Sequence, residues 1–129
     1  MRGKSIMHQP AITFKTKDTV AHALKIMNEK NINGAPIVDD KNELAGMVVK
    51  ADLYRFLISP GHYDTCPLEW VMTKNVITAE EDEDIIAISK RLRANNIVAM
   101  PIVDGKKVLG VISFEDIIDY FIEKQEIYD

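Results

Sequence analysis

Pro36-Ile37-Val38-Asp39 and Pro101-Ile102-Val103-Asp104 are one phrase written twice, 65 residues apart. Moving outward, the same offset carries Asn31-Ile32 onto Asn96-Ile97, Ile12-Thr13 onto Ile77-Thr78 and Ile6-Met7 onto Val71-Met72. After one deleted residue, Gly46-Met47-Val48 through Asp52-Leu53 returns as Gly110-Val111-Ile112 through Asp116-Ile117. The repeat therefore spans nearly everything outside a short middle linker. Two copies argue against a solenoid, which needs a longer array, and predict two similar halves facing each other across a pseudo-two-fold axis with a shared cleft.

Composition bounds the reading. With 129 residues, 47% of them hydrophobic, each half is marginal as an independent fold, so the halves are expected to need each other. The expected division is a first repeat over 1–60, a linker over 61–66 and a second repeat over 67–129. The net charge of −4 is spread through interspersed acids and bases. That distribution gives no electrostatic footprint for a phosphate backbone and argues against nucleic-acid binding. Cys66 is the only cysteine and cannot form an internal disulfide. No apolar run approaches membrane-spanning length, and Met1 to Ser5 leads into no signal-peptide core. These features predict a soluble cytoplasmic protein, or a piece of a larger one, with no membrane partner.

Each half reads as strand, helix, strand, strand, helix, an α/β pattern with two small sheets. In the first, residues 11–13 are a short extended segment. Thr19 is placed to N-cap a helix whose Val20, Ala23, Leu24 and Met27 share one face. Asn33-Gly34 breaks that helix, residues 35–38 form a strand opening on proline, and residues 39–42 turn into a strand over 44–49. A second helix runs over 50–58 and stops at Pro60-Gly61. In the second half, residues 76–78 are the first strand and Asp84 caps a helix with Ile85, Ile88 and Leu92 inward. A strand over 101–103, a turn over 104–107, a strand over 108–112 and a helix from Ser113 follow.

The runs Val71-Met72-Thr73, Val76-Ile77-Thr78, Pro101 to Asp104 and Gly110-Val111-Ile112-Ser113-Phe114-Glu115-Asp116 resemble a cystathionine β-synthase (CBS) domain, and Ile6 to Ile58 resembles a second one. The likeness covers about residues 4 to 124, and the in-register recurrence of the proline phrase with the glycine-to-aspartate phrase makes it specific. Resemblance to tandem CBS domains implies two β-α-β-β-α repeats related by a pseudo-two-fold axis. It also implies a regulatory rather than catalytic role, flat homodimers, and an adenosyl ligand in the clefts between repeats: AMP first, or ADP, ATP or S-adenosylmethionine.

Such a ligand needs an apolar slot for adenine, a carboxylate for the ribose hydroxyls and donors at a helix start for phosphate. Ser113 and Asp116 fit the last two roles, with Glu115 beside them, and the resemblance sets Val111 with the adenine wall. The resemblance draws the adenine wall from the opposite repeat, here Pro10, Ala11, Ile12, Ile32, Asn33 and Gly34. A plainer reading of Ser-x-x-Asp at a helix start is a capping box, which needs no ligand. Against it, Asp52 occupies the equivalent position in the first repeat although Val49 there cannot cap. That cleft, built from Asp52, Lys50, Met47, Asn75, Ile77, Ile97 and Val98, lacks a hydroxyl and is expected to bind more weakly unless Lys50 compensates. Gly34-Ala35 and Ala99-Met100 stand where relatives that hold polyphosphates carry basic residues, which disfavours tight ATP binding.

Other chemistry finds no support. His8, His22 and His62 are far apart without a cysteine or carboxylate at ligand spacing, and are expected to be surface histidines with no metal. Cys66 carries no sign of activation, and Met27, Met47, Met72 and Met100 fall at apolar positions expected to be core or pocket lining. The expected function is a ligand-sensing regulatory module with no catalytic residues, read by a fused or associated effector. The competing reading is a dimerisation or docking module with vestigial clefts. Both expect a homodimer through the repeat-terminal helices, where Leu53, Tyr54, Phe56, Leu57 and Ile58, and Ile117, Ile118, Tyr120, Phe121 and Ile122, exceed one apolar stripe.

Overall fold

The computed structural model describes residues 1–128, with side chains described through Glu126. The chain divides into two compact units. A contiguous unit is made of Ile12–Val76, and a composite unit joins Met1–Ala11 to the chain from Ile77 onward. The boundaries at 11/12 and 76/77 are themselves one repeat length apart, so each unit takes its body from one repeat and a short arm from the other.

In the contiguous unit, β1 (Phe14–Lys15) lies parallel to β2 (Gly34–Val38), which pairs antiparallel with β3 (Leu44–Val49), Pro36 opposite Met47. Helix α2 (Val20–Lys30) begins where Thr19 Oγ1 accepts the His22 N–H at 3.1 Å, and it buries Val20, Ala23 and Met27, the spacing of one helical face. It ends at Asn31, whose φ of 55° is the left-handed conformation that asparagine tolerates at a helix C-terminus. Asp39 Oδ1 closes the β2–β3 turn by accepting the N–H groups of Lys41 and Glu43. After α3 (Lys50–Ile58), residues of the expected linker stay on the same body, because Ala21 N–H donates to Asp64 O and Val20 N–H to Cys66 O. Phe14, Met27, Ile37, Leu53, Phe56, Cys66 and Leu68 meet in the core.

The composite unit pairs β4 (Ala99–Asp104) antiparallel with β5 (Lys107–Ser113) through a turn in which Gly105 takes φ +61°. Helix α4 (Ile85–Ala94) is capped by Asp84, whose Oδ2 accepts the Ile86 N–H at 3.2 Å, and α5 (Phe114–Tyr128) follows β5. Met7, Ile88, Leu92, Met100, Ile102, Ile112 and Ile117 form its core. The arm carries a one-turn helix α1 (Gly3–Ile6) and is tied down by Gly3 N–H to Glu83 O and Ile85 N–H to Met1 O. Glu83 in turn holds Arg91 through both carboxylate oxygens, at 2.5 and 3.0 Å, and Arg91 donates to Thr78 O. Hydrogen bonds from Arg91 hold the Glu83 carboxyl below the usual range despite partial desolvation, and the same pair raises the Arg91 guanidinium.

Both arms cross their sheets in the same way. His8 and Val111 exchange N–H···O bonds of 2.9 and 3.1 Å, and Thr73 and Met47, one repeat away, exchange bonds of 2.8 and 3.0 Å. The neighbouring strand residue is glycine each time. A methyl group on Gly110 would sit 2.6 Å from His8 O, and one on Gly46 would sit 2.5 Å from Met72 Sδ and 3.0 Å from Thr73 O. Glycine is present because the arm's backbone needs that space.

Three local expectations shift. The first ladder starts at Phe14 rather than over 11–13, because pairing begins where Phe14 turns into the core opposite Ile37. Residues 76–78 form no strand; a single parallel bridge from Ala79 to Ile102 does the equivalent pairing. Helix α1 and the 3-10 turn Leu68–Trp70 are repeat equivalents too short to leave a helical period in sequence.

Two outcomes follow. In Gly110→Ala the new methyl meets a backbone carbonyl that cannot rotate away, so the arm must lift, at a cost of about 1–3 kcal/mol. Thermal unfolding should register the loss and hydrogen exchange should show faster His8 and Val111 amides; unchanged protection would refute the packing argument. The Glu83–Arg91 pair gives an acid-side dependence. A carboxyl held low in the folded state stabilises above its unfolded value, and that stability is lost as pH falls through the lowered value. Denaturation from neutral pH to below about pH 4 should therefore show a shallower loss in Glu83→Gln than in wild type; parallel curves would contradict it.

Candidate functional site

Ser113 stands between β5 and α5 and is bonded to Asp116 in both directions. Ser113 N–H and Oγ–H donate to Asp116 Oδ2 at 2.8 and 2.9 Å, and Asp116 N–H donates back to Ser113 Oγ at 3.3 Å. The capping reading is thus realised in full, with no ligand needed to satisfy these groups. The other carboxylate oxygen, Oδ1, is met by His8 Nε2 at 2.6 Å. Asp116 is nearly enclosed, its side chain 9% exposed, whereas the His8 side chain is 69% exposed. The first amide of α5 is also used, since Phe114 N–H donates to Val98 O at 3.0 Å.

His8 is at the surface, as expected, and it meets a carboxylate that sequence spacing does not offer. Spacing could not reveal it, because the partner is at position 116 and only the arm's crossing of β5 brings the two together. The usable signal was the repeat itself, which makes residue 8 the counterpart of Thr73. His62 also has a defined place, stacked on Phe56 with ring centroids 3.9 Å apart and its Nδ1 2.9 Å from Phe56 O.

The remaining candidates sort by unit. Pro10, Ala11, Val111, Ser113, Glu115 and Asp116 belong to the composite unit; Ile12, Ile32, Asn33 and Gly34 belong to the contiguous one. Val111 is buried, Ala11 half-buried, and Pro10 and Glu115 exposed. Ile12 and Ile32 pack against the contiguous core, and Asn33 O accepts the Lys50 N–H at 2.7 Å. That bond is the repeat equivalent of Val98 with Phe114.

Of the weaker set, Met47, Lys50, Asp52 and Asn75 are in the contiguous unit and Ile77, Ile97 and Val98 in the composite one. Val49 precedes α3 without a side-chain cap. Lys50 Nζ donates to Asn28 Oδ1 at 2.8 Å, and Asp52 Oδ1 accepts from Arg55 at 2.6 Å. In the repeat-terminal helices, Leu53, Phe56 and Ile117 prove to be core, because they point at the sheet. Tyr54, Ile58, Ile118, Phe121 and Ile122 are exposed, Ile58 by 82% and Phe121 by 42%. Among the described residues there is no cluster of three potential metal ligands, and no helix is long and apolar enough to cross a membrane.

The chain matches the CBS domain family at residues 4–59 and again at 69–123. The L-aspartate semialdehyde sulfurtransferase of Methanocaldococcus jannaschii is 35% identical over 115 residues, covering 88% of this chain and 22% of its own length. A homoserine O-acetyltransferase of Methanohalobium evestigatum is 32% identical over 113 residues, 87% of this chain and 22% of its own. The chain spans about a fifth of the length of these curated relatives. A CBS domain pair crystallised in complex with 5′-methylthioadenosine and S-adenosyl-L-methionine is 34% identical, with a TM-score of 0.88 over 96% of this chain and 98% of its own. The AcuB protein of Vibrio cholerae, at 23% identity and a TM-score of 0.88, shares the fold. With one family match on each copy of the 65-residue repeat, and a strand-to-helix turn ending in aspartate in both, the chain belongs to the CBS domain family as a tandem pair.

Proposed function

We propose that this chain is a regulatory, non-catalytic module that binds an adenosyl compound at the Ser113–Asp116 turn, with Asp116 accepting the ribose hydroxyls. The observation that carries the reading is an almost enclosed carboxylate, fixed by its cap, at the turn where α5 leaves the sheet. The 34% identity to a CBS pair crystallised with two adenosyl compounds supports the ligand class.

Among adenosyl compounds, the turn favours 5′-thio derivatives such as 5′-methylthioadenosine and S-adenosylmethionine over AMP, which the sequence put first. A phosphate at a helix start draws on unpaired amides. At α5 the Phe114 and Asp116 amides already have partners in Val98 O and Ser113 Oγ. No lysine, arginine or histidine occupies residues 34–35 or 99–100 to supply charge instead. In the first repeat Asp52 is engaged by Arg55 and Lys50 by Asn28, so that turn is the weaker candidate.

The output passes to an effector, fused or associated. The chain's relatives are much longer than the part it matches, which supports a fused arrangement. Exposed Tyr54, Ile58, Ile118, Phe121 and Ile122 on the repeat-terminal helices support a homodimer through those helices. They are also what the docking-module reading would use if the turns bind nothing.

Calorimetry with 5′-methylthioadenosine, S-adenosylmethionine and AMP tests the ligand. Asp116→Ala should cost roughly 1.5 to 3 kcal/mol, about ten- to a hundred-fold in affinity. Unchanged affinity in that variant, or no binding of any of the three at millimolar concentration, would leave the docking reading in possession. For the assembly, light scattering should give twice the monomer mass, with at least about 1,200 Å² buried in total. Phe121→Glu should lower the mass, and a monomer at tens of micromolar would end the dimer proposal.

A further inference from the structure

We infer that His8 is a displaceable occupant of the ligand carboxylate, a residue that the ribose of an adenosyl ligand must evict from Asp116, so that ligand binding is coupled to protonation of His8. This rests on the proposal that Asp116 receives the ribose.

The inference comes from counting lone pairs. An ionised carboxylate offers about four acceptor positions, two on each oxygen. Ser113 N–H and Oγ–H both point at Asp116 Oδ2 and fill that oxygen. His8 Nε2 lies 2.6 Å from Oδ1, and since a carboxylate can only accept, this nitrogen carries the hydrogen. One position remains. The two vicinal hydroxyls of a ribose need two, so both are accommodated only if an existing donor leaves.

Ser113 is the costlier donor to remove, because its bonds to Asp116 are the cap of α5 and their loss would leave the helix start unsatisfied. His8 is the easier one. Its side chain is 69% exposed, so the imidazole can rotate into water and be solvated there, while its backbone stays bonded to Val111. Departure of His8 uncovers an Asp116 carboxylate that is otherwise 9% exposed and already oriented by Ser113.

Protonation sets the strength of the competition. The carboxylate charge assists the bond from either form of the imidazole, and an imidazolium adds a direct charge–charge attraction that the neutral ring lacks, so acid holds His8 on Asp116 and disfavours the ligand. The ionisable groups with described side chains on α5 and β5, the elements that meet the arm, are Glu115, Asp116, Asp119, Tyr120, Glu123, Lys124 and Glu126 on α5 and Lys107 at the far end of β5. On its own arm, the Met1 amino group lies 3.8 Å from Asp84 Oδ1, and Arg2 and Lys4 are bound to Asp82. Carboxylates, lysines and tyrosines as classes titrate outside the range from about pH 5.5 to about pH 8, histidine within it and an α-amino group at its upper edge, so loss of the dependence in the His8 variants is what assigns it.

The repeat provides an internal contrast. Thr73 occupies the position of His8 in the contiguous unit, bridging Met47 as His8 bridges Val111, and Asp52 there is held by Arg55 instead. A proton-linked gate therefore belongs to the Asp116 turn and not to the Asp52 turn.

The experiment is calorimetric titration with 5′-methylthioadenosine, which has no group titrating in the window, on wild type, His8→Ala, His8→Gln and Asp116→Ala. Wild-type affinity should fall by roughly two- to fivefold between about pH 8 and about pH 5.5. His8→Ala should bind more tightly than wild type at the acid end and lose the pH dependence, and His8→Gln should also lose it. If Asp116→Ala weakens binding about tenfold or more while His8→Ala keeps the wild-type profile or binds more weakly, the gate is overturned and the ribose assignment stands. If Asp116→Ala binds like wild type, or wild type does not bind, both fall together.

Discussion

A peptide backbone lying directly on a strand glycine, His8 over Gly110 and Thr73 over Gly46, is the contact on which both units depend. It caps the open side of each hairpin with a pair of backbone hydrogen bonds. It also brings a methionine, Met7 or Met72, against the core beneath. Any side chain at either glycine would hold the arm away from the sheet, so the exchange of arms between the two repeats is written into these two residues. In the composite unit the same crossing delivers an imidazole to a carboxylate that lies at the other end of the sequence.

Asp116 serves two purposes with one geometry. As the distal member of a capping box it is fixed by the Ser113 amide and hydroxyl, and that fixation is what a ligand-binding carboxylate needs, since a rotamer locked beforehand does not have to be ordered on binding. Capping and ligand binding, which look like rival readings in the sequence, are compatible in the structure. Asp52 shows the contrast. Without a capping hydroxyl at Val49 it turns toward Arg55 on its own helix, a local pair that aims the carboxylate along α3.

Much of this is legible in the amino-acid sequence. The repeat offset gave the fold class, and periodicity together with Thr19 and Asp84 located α2 and α4 with their buried faces, because caps and apolar spacing are local physics. Helix α3 was bounded equally well by Lys50 and Ile58. The short first strands were misplaced at 11–13 and 76–78 because a strand of two residues, or a single bridge, is defined by its partner rather than by its own composition. His8 was missed for a related reason: its meaning lies wholly in a contact made through the arm. The apolar excess on the repeat-terminal helices was visible, but not that Leu53, Phe56 and Ile117 are the members that face inward, because an apolar-rich helix does not declare which of its apolar residues do so.

The composite unit also bears on where such a chain can be divided. The natural cut suggested by the sequence is between the repeats, near residues 61–66. Severing the chain there would leave the second repeat without Met1–Ala11, with Gly110 uncovered and Val111 missing both of its arm hydrogen bonds. It would equally strip residues 67–76 from the first repeat, taking Leu68 out of the contiguous core and leaving Met47 unpaired. The module of inheritance and the module of folding are thus offset by one arm's length. A single copy of the repeat is a unit of sequence but not a unit of structure.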